Sequence, residues 1–218
     1  MRSGIVVAQS RHAKLLTAAA RRILRPLGLQ QRGRSRLWLD DHGWWVAVVE
    51  FQPSGWSKGS YLNVGAMWLW YEKEYFSFDY GSRVENFVQY KGDEQFAPLA
   101  DNLVCRAAEA VARLRSRFPS VKAAAQQLAT TTPMGFWDLF HAGVACGLAG
   151  ETTKARQFFA EVGRSDHQQD WAQAITSLAR AYSVLIDDLP RFRTKVEQVV
   201  RRARERLRLP SLAKLLLD

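Results

Sequence analysis

The sequence predicts an α+β fold: an antiparallel sheet of about four strands packed with N-terminal and following helices, then an all-helical C-terminal bundle. Three observations predict it. Residues 44–70, WWVAVVEFQPSGWSKGSYLNVGAMWLW, alternate with period two around a polar connector. Residues 93–118 carry one apolar stripe at helical spacing. Beyond Thr130-Thr131-Thr132-Pro133 the chain reads as helix throughout.

In the first apolar run Trp45, Ala47, Val49 and Phe51 share one face, and Trp44, Val46, Val48, Glu50 and Gln52 share the other, which turns polar toward its end. In the second, Leu62, Val64, Ala66, Trp68 and Trp70 oppose Tyr61, Asn63, Gly65, Met67 and Leu69. Alternation with β-branched and aromatic residues is a strand signal. Pro53-Ser54-Gly55 and Lys58-Gly59-Ser60 bracket a hairpin with a longer loop. Ser35 to Leu39 reads as a short first strand, and Asp40-Asp41-His42-Gly43 as a turn whose glycine takes positive φ. Tyr75 to Tyr80 alternates as a fourth strand. Gln31 to Arg36 reads as a basic connector.

Ser10 is the expected N-cap of a first helix ending at Pro26-Leu27-Gly28, with Leu16, Ala19 or Ala20, Ile23 and Leu27 on its apolar side. Asp93 or Glu94 opens the long helix, whose stripe is Leu99, Leu103, Ala107, Ala110/Val111, Leu114 and Phe118. A shorter helix over 121–129 follows Pro119. Thr132 as cap and Pro133 at the first helical position mark a boundary. The predicted domains are therefore 1–132 and 133–218.

At 218 residues and 47% hydrophobic, the chain can bury one sizeable core or a domain with an appendage. Cys105 and Cys146 lie in apolar helical patterns without CxxC spacing and read as reduced, buried thiols. The apolar run Ile5–Ala8 is too short for a secretory signal, and no stretch spans a bilayer, so a cytoplasmic protein without membrane insertion is expected. The net charge of +10 is uneven: residues 1–36 carry +9, 37–100 carry −5, 101–135 carry +3, 136–190 carry −3 and 191–218 carry +6. Basic ends around an acidic middle fit nucleic-acid contact, or ends that fold back on the middle.

The ordered segments LRPLGLQQRG, the 43–70 hairpin and FDYGSRV together resemble the bacterial family catalogued as domain of unknown function 4304. The matching positions are Pro26, Gly28, Gln52, Asn63, Gly65 and Arg83, within a resemblance spanning about residues 10–130. Leu29 departs from it, standing where an aromatic is usual. The resemblance implies an α+β fold and a cytoplasmic protein, and it implies no reaction.

Glu50, Gln52, Asn63, Ser77 and Asp79 fall on the less apolar sheet face, with Arg83 just beyond the last expected strand. An amide pair with an arginine and carboxylates can hold a peptide or a base edge by hydrogen bonds. The same residues equally suit the solvent face of an antiparallel sheet. His12, His42, His141 and His167 are scattered without a partner at ligand spacing, so no metal is expected, and no phosphate loop, nucleophile elbow or cofactor motif stands out. Asp187-Asp188 reads as a helix cap.

Residues 136–163 match tetratricopeptide-type hairpin spacing at Leu139, Ala142, Gly143, Cys146, Gly150, Ala155, Phe159 and Val162, in a single copy. A helix over 166–187 carries Trp171, Ile175, Leu178, Tyr182 and Leu185 in a stripe. The last helix, about 190–207, holds Val196, Val199/Val200, Ala203 and Leu207 on one side and the arginines of RRARERLR on the rest.

Three functions follow in order. The first is a non-catalytic bacterial interaction protein that binds a protein partner; an immunity or defence-accessory role fits by analogy alone. The second is a sequence-independent nucleic-acid binder using Arg21, Arg22, Arg25, Arg201, Arg202, Arg204, Arg206 and Arg208 against phosphates. The third is an enzyme of unknown reaction built on Glu50, Gln52, Asn63, Asp79 and Arg83.

Overall fold

The computed structural model describes residues 10–130, 134–164, 169–215 and 217. Helix α1 (Arg11–Ile23) and a 3-10 turn (Arg25–Leu27) precede strands β1 (Gln30–Gln31), β2 (Leu37–Asp41), β3 (Trp45–Gln52), β4 (Gly59–Trp68) and β5 (Tyr80–Gln89). Helices α2 (Asp93–Arg117), α3 (Val121–Leu128), α4 (Phe136–Leu148), α5 (Thr152–Gly163), α6 (Asp170–Leu185) and α7 (Leu189–Arg206) follow. The fold is α+β. The sheet has five strands in the order β1-β2-β3-β4-β5, one more than expected.

Two strand readings are corrected. Gln30 and Gln31, the latter the first residue of the basic connector, pair antiparallel with Leu39 and Trp38, which makes the rest of the connector the tip of a hairpin. The last strand is Tyr80–Gln89, and residues 75–79 are not strand. Its alternation was faint because every residue of β5 is exposed or half-buried, so burial imposes little apolar patterning on it. Asn63 stands opposite Arg83 and Gly65 opposite Gly81 in the β4–β5 ladder. Gly81 has φ +108, and a Cβ there would lie 2.6 Å from the Val64 carbonyl oxygen, so that position accepts only glycine.

The chain forms two compact units that do not follow chain order. One comprises Met1–Asp41, Ala47–Ala66 and Tyr80–Arg113; the other comprises His42–Val46, Met67–Asp79 and Leu114–Asp218. The boundary expected between residues 132 and 133, with the Thr132 cap and Pro133, lies outside the described residues, as do Ile5–Ala8, His167 and the expected helix start at Asp166.

In the first unit α1 buries Leu16, Ala19 and Ala20 as its spacing predicts, while Leu27 stays 44% exposed. Ser10 occupies the N-cap, but its side chain makes no capping hydrogen bond. Ion pairs Arg11–Asp93 (3.5 Å) and Arg22–Asp101 (2.5 Å) join α1 to α2. On α2 the buried positions include Phe96, Ala100, Leu103 and Ala107, and Leu99 is exposed, so the stripe begins one residue out of phase with expectation. Cys105 is exposed, against the expected buried thiol.

The second unit has an aromatic core. Trp44, Trp68 and Trp70 stack nearly parallel with centroids 5.2–5.8 Å apart, and Phe118 meets Trp68 edge-on at 4.9 Å. The α4–α5 hairpin packs as its spacing predicts. Ala142, Cys146, Ala155, Phe159 and Val162 are buried, and a Cβ on Gly143 would lie 2.6 Å from the Phe159 ring. Burial pushes the Cys146 thiol up to about 11, so it stays protonated. On α6 the buried residues are Ala172, Ile175, Ala179 and Tyr182, whereas Trp171 is 44% exposed. Asp188 caps α7 by accepting from the Arg191 N–H at 3.2 Å. Among the described residues no helix is long and apolar enough to cross a membrane.

Candidate functional site

The structure brings Glu50, Gln52 and Asn63 of the expected sheet face together with Arg83, whereas Ser77 and Asp79 lie elsewhere. On β3 Glu50 and Gln52 point the same way, and on β4 Tyr61 and Asn63 do, as period two requires. The Asn63 amide donates through Nδ2 to Glu50 Oε2 at 3.0 Å and to Gln52 Oε1 at 2.9 Å. From β5, Arg83 donates through its guanidinium to Gln52 Oε1 at 3.2 Å and through Nε to Asn63 Oδ1 at 3.4 Å. The guanidinium also lies 4.2 Å over the Tyr61 ring, and Tyr61 meets Phe87 at 5.1 Å.

The result is a polar ladder across three strands in which both ends of the Asn63 amide are engaged. Glu50, Gln52, Tyr61 and Asn63 are half-buried, and Arg83 is exposed. Three of the ladder residues, Gln52, Asn63 and Arg83, are positions that carry the family resemblance. Satisfied amides hold the face rigid, and the guanidinium edge and the aromatic rings remain open for contact. The β3–β4 loop beside it presents Trp56 at 99% exposure, a residue that strand alternation does not mark. A tryptophan between Gly55 and Ser57 in a polar connector was the available signal.

Asp79 does not join this ladder. Its Oδ2 accepts from the Trp68 N–H at 3.0 Å, and its Oδ1 accepts from Lys73 Nζ at 2.5 Å and Ser77 Oγ at 2.9 Å. Lys73 and Asp79 side chains are only 7% and 6% exposed. The expected placement failed because residues 75–79 are loop and not strand, so their alternation carried no face assignment. Burial raises the Asp79 carboxyl, but His141, Lys73 and the donated hydrogen bonds outweigh it and hold it below the usual carboxylate value.

Around that pair lies a buried polar cluster that sequence spacing could not reveal. Trp70 Nε1 donates to His141 Nδ1 at 3.0 Å, and Lys73 Nζ sits 4.9 Å over the Trp137 ring. His141 is fully buried, and burial pushes it down to about 4, so it is neutral at pH 7. Its Nε2 has no partner among the described residues. The arrangement is a core ion pair with an adjoining imidazole. It holds the 67–79 segment to α4.

The C-terminal arginines are engaged within their own unit. Arg201 pairs with Glu197 at 2.7 Å, Arg202 with Glu72 at 2.7 Å, and Arg206 with Glu72 at 3.0 Å and Glu74 at 3.3 Å. Arg204 is 4% exposed and donates to the Gly43 and Pro210 carbonyls at 2.8 and 2.6 Å. Acidic residues of the 72–74 turn, Glu197 and backbone carbonyls thus engage these arginines, in line with a basic end that folds back on the acidic middle. Arg208 is exposed, with φ 52. In the first unit Arg22 pairs with Asp101, Arg21 reaches the neutral Gln31 at 3.4 Å, and Arg25 is exposed.

Among the described residues no three His, Cys, Asp or Glu side chains converge as metal ligands. In comparisons with protein-family models, curated proteins and solved structures, nothing matches the chain.

Proposed function

We propose that this chain is a non-catalytic, cytoplasmic interaction protein that binds a protein partner through the β3–β4–β5 face of its first unit. The observation that carries the reading is Trp56, 99% exposed on the loop of the β3–β4 hairpin whose Tyr61 stacks with Arg83 of β5. Tryptophan, tyrosine and arginine are the residues that dominate binding energy in protein interfaces, because each buries a large rigid surface and still offers a polar contact. Against catalysis stands the ladder itself, in which the amides and Glu50 are bonded to one another and not poised toward a reacting group. Membership of the unknown-function family 4304 is part of the same proposal and rests on the residue pattern alone.

The test is a native pull-down with the full chain at several salt concentrations, wild type beside Trp56→Ala and Arg83→Ala. The reading expects a stoichiometric protein that the wild type retains and both variants lose while keeping their thermal melts. Retention of the same protein by both variants would place the interface elsewhere.

The second reading, nucleic-acid binding, loses support at α7, whose arginines are largely tied to Glu72, Glu74, Glu197 and backbone carbonyls. It keeps support in the first unit, where Arg25 is exposed at the end of a helix with no acidic residue in its first turn.

A further inference from the structure

Residues 11–36 of the first unit carry seven Arg and one Lys and no Asp or Glu, a formal +8. Two of these cations are neutralised: Arg11 pairs with Asp93 and Arg22 with Asp101. Lys14, Arg21, Arg25, Arg34 and Arg36 have no carboxylate partner among the described residues. On α7, by contrast, Arg201, Arg202 and Arg206 all meet glutamates. The same chain thus compensates one basic element and leaves much of the other uncompensated, although gathering like charges opposes folding.

Two elements gather these arginines in one place. Arg21 and Arg25, four residues apart and both exposed, stand at the C-terminal end of α1 and the start of the 3-10 turn. The tip of the β1–β2 hairpin carries Arg34, exposed, and Arg36, half-buried. Arg21 donates to Gln31 Oε1 at 3.4 Å, and Gln31 Nε2 donates to the Ser35 carbonyl at 2.8 Å, so the tip is held beside the helix end. The tip itself is closed: the Arg32 N–H donates to the Leu37 carbonyl at 2.9 Å and the Ser35 N–H to the Arg32 carbonyl at 3.0 Å. The Phe51 N–H donates to the Arg36 carbonyl at 3.2 Å and fastens the base of the tip to β3. Arg21 complements the helix dipole where it stands, but the tip arginines serve no helix end.

We propose that the C-terminal end of α1 and the β1–β2 tip form a sequence-independent binding surface for the phosphodiester backbone of duplex nucleic acid. The proposal rests on the second reading above and assigns it to the first unit instead of α7. Guanidinium forks match phosphate oxygens, and several held together release counterions from a polyanion. The surroundings select the polyanion. The apolar side of α1, with Leu16, Ala19, Ala20 and Leu24, is buried, so the helix has no apolar face to lay into a lipid surface. Residues 11–36 contain no Phe, Tyr or Trp, so they offer no ring on which the bases of a single strand would stack. The same lack removes the aromatic anchor that a protein interface uses.

The experiment titrates the full chain with a short random-sequence duplex, with its separated strands and with phosphatidylserine vesicles, across a salt series. Beside the wild type stand Arg21→Gln with Arg25→Gln, Arg34→Gln with Arg36→Gln, and, on α7, Arg202→Gln with Arg206→Gln, each checked by thermal melt. Four phosphate contacts predict a duplex affinity that falls about a hundredfold between about 50 and 200 mM salt. Each first-unit double variant should lower the slope of log affinity against log salt by about two, while the α7 variant keeps the wild-type slope. If one first-unit variant does not fold, the other carries the same expectation. The proposal is overturned if folded first-unit variants keep the wild-type slope; where the α7 variant loses it, the second reading survives on a different surface. No duplex binding at low salt overturns both. Tighter binding of single strands or vesicles than of duplex also overturns the proposal.

Discussion

The Arg83 guanidinium lies 4.2 Å over the ring of Tyr61, so an exposed edge-strand cation is held flat by its neighbour on β4. A fixed cation on an aromatic loses less freedom on binding than a mobile one, which is what an interface anchor requires. The underlying ladder makes that fixation testable. Asn63→Ala removes two donated hydrogen bonds and one accepted, leaving Glu50, Gln52 and Arg83 without their shared partner. A loss of about 1–2 kcal/mol is expected in urea unfolding, since the site is half-buried and water replaces part of what is lost.

His141 sets an acid-side dependence. Its folded pKa, about 4, lies below the ordinary 6.5, so between those values the unfolded chain binds a proton that the native chain does not. Stability is complete above pH 6.5 and falls as pH drops toward 4, by about 3 kcal/mol in total. Asp79, held below the ordinary carboxyl value of 3.8, adds a further loss only at lower pH, as it protonates. Chemical unfolding from pH 7 to 4 should show the first slope in wild type and not in His141→Gln.

The α4–α5 hairpin predicts an overpacking cost. An added Cβ at Gly143 meets the Phe159 ring at 2.6 Å, so Gly143→Ala should destabilise by about 1–3 kcal/mol. Phe159→Ala leaves a cavity instead and should cost about 3–5 kcal/mol in the same denaturant titration.

Arg204 separates a structural from a phosphate-binding role for α7. Arg204→Gln removes donors to the Gly43 and Pro210 carbonyls and should lower stability by about 1–3 kcal/mol. Arg202→Gln, at a part-exposed pair with Glu72, should change stability by less than about 1 kcal/mol. Both measurements are thermal or urea melts. If instead neither substitution altered stability while both abolished oligonucleotide binding, the arginines would be phosphate ligands.

What could be read in advance depended on burial. Strands β3 and β4 and the α4–α5 hairpin were legible because their inward faces are constrained by packing, as at Ala47 and Val49 or at Gly143 against Phe159. Strand β5 was displaced by several residues because none of its side chains is fully buried. The ladder was legible in part: Glu50, Gln52 and Asn63 follow from period two within β3 and β4, whereas Asp79 falls in the loop before β5, where alternation carries no face assignment. The pairing of Arg202 and Arg206 with Glu72 joins residues about 130 apart in sequence, and no local pattern signals such a contact.

The most direct test of the partner-binding account is the affinity of the captured protein for wild type, Trp56→Ala and Arg83→Ala, measured side by side. The account predicts a loss of at least about thirtyfold for Trp56→Ala, the scale of an interface hot spot, and a comparable loss for Arg83→Ala, with unfolding midpoints unchanged. Equal affinity of all three proteins for that partner would contradict it.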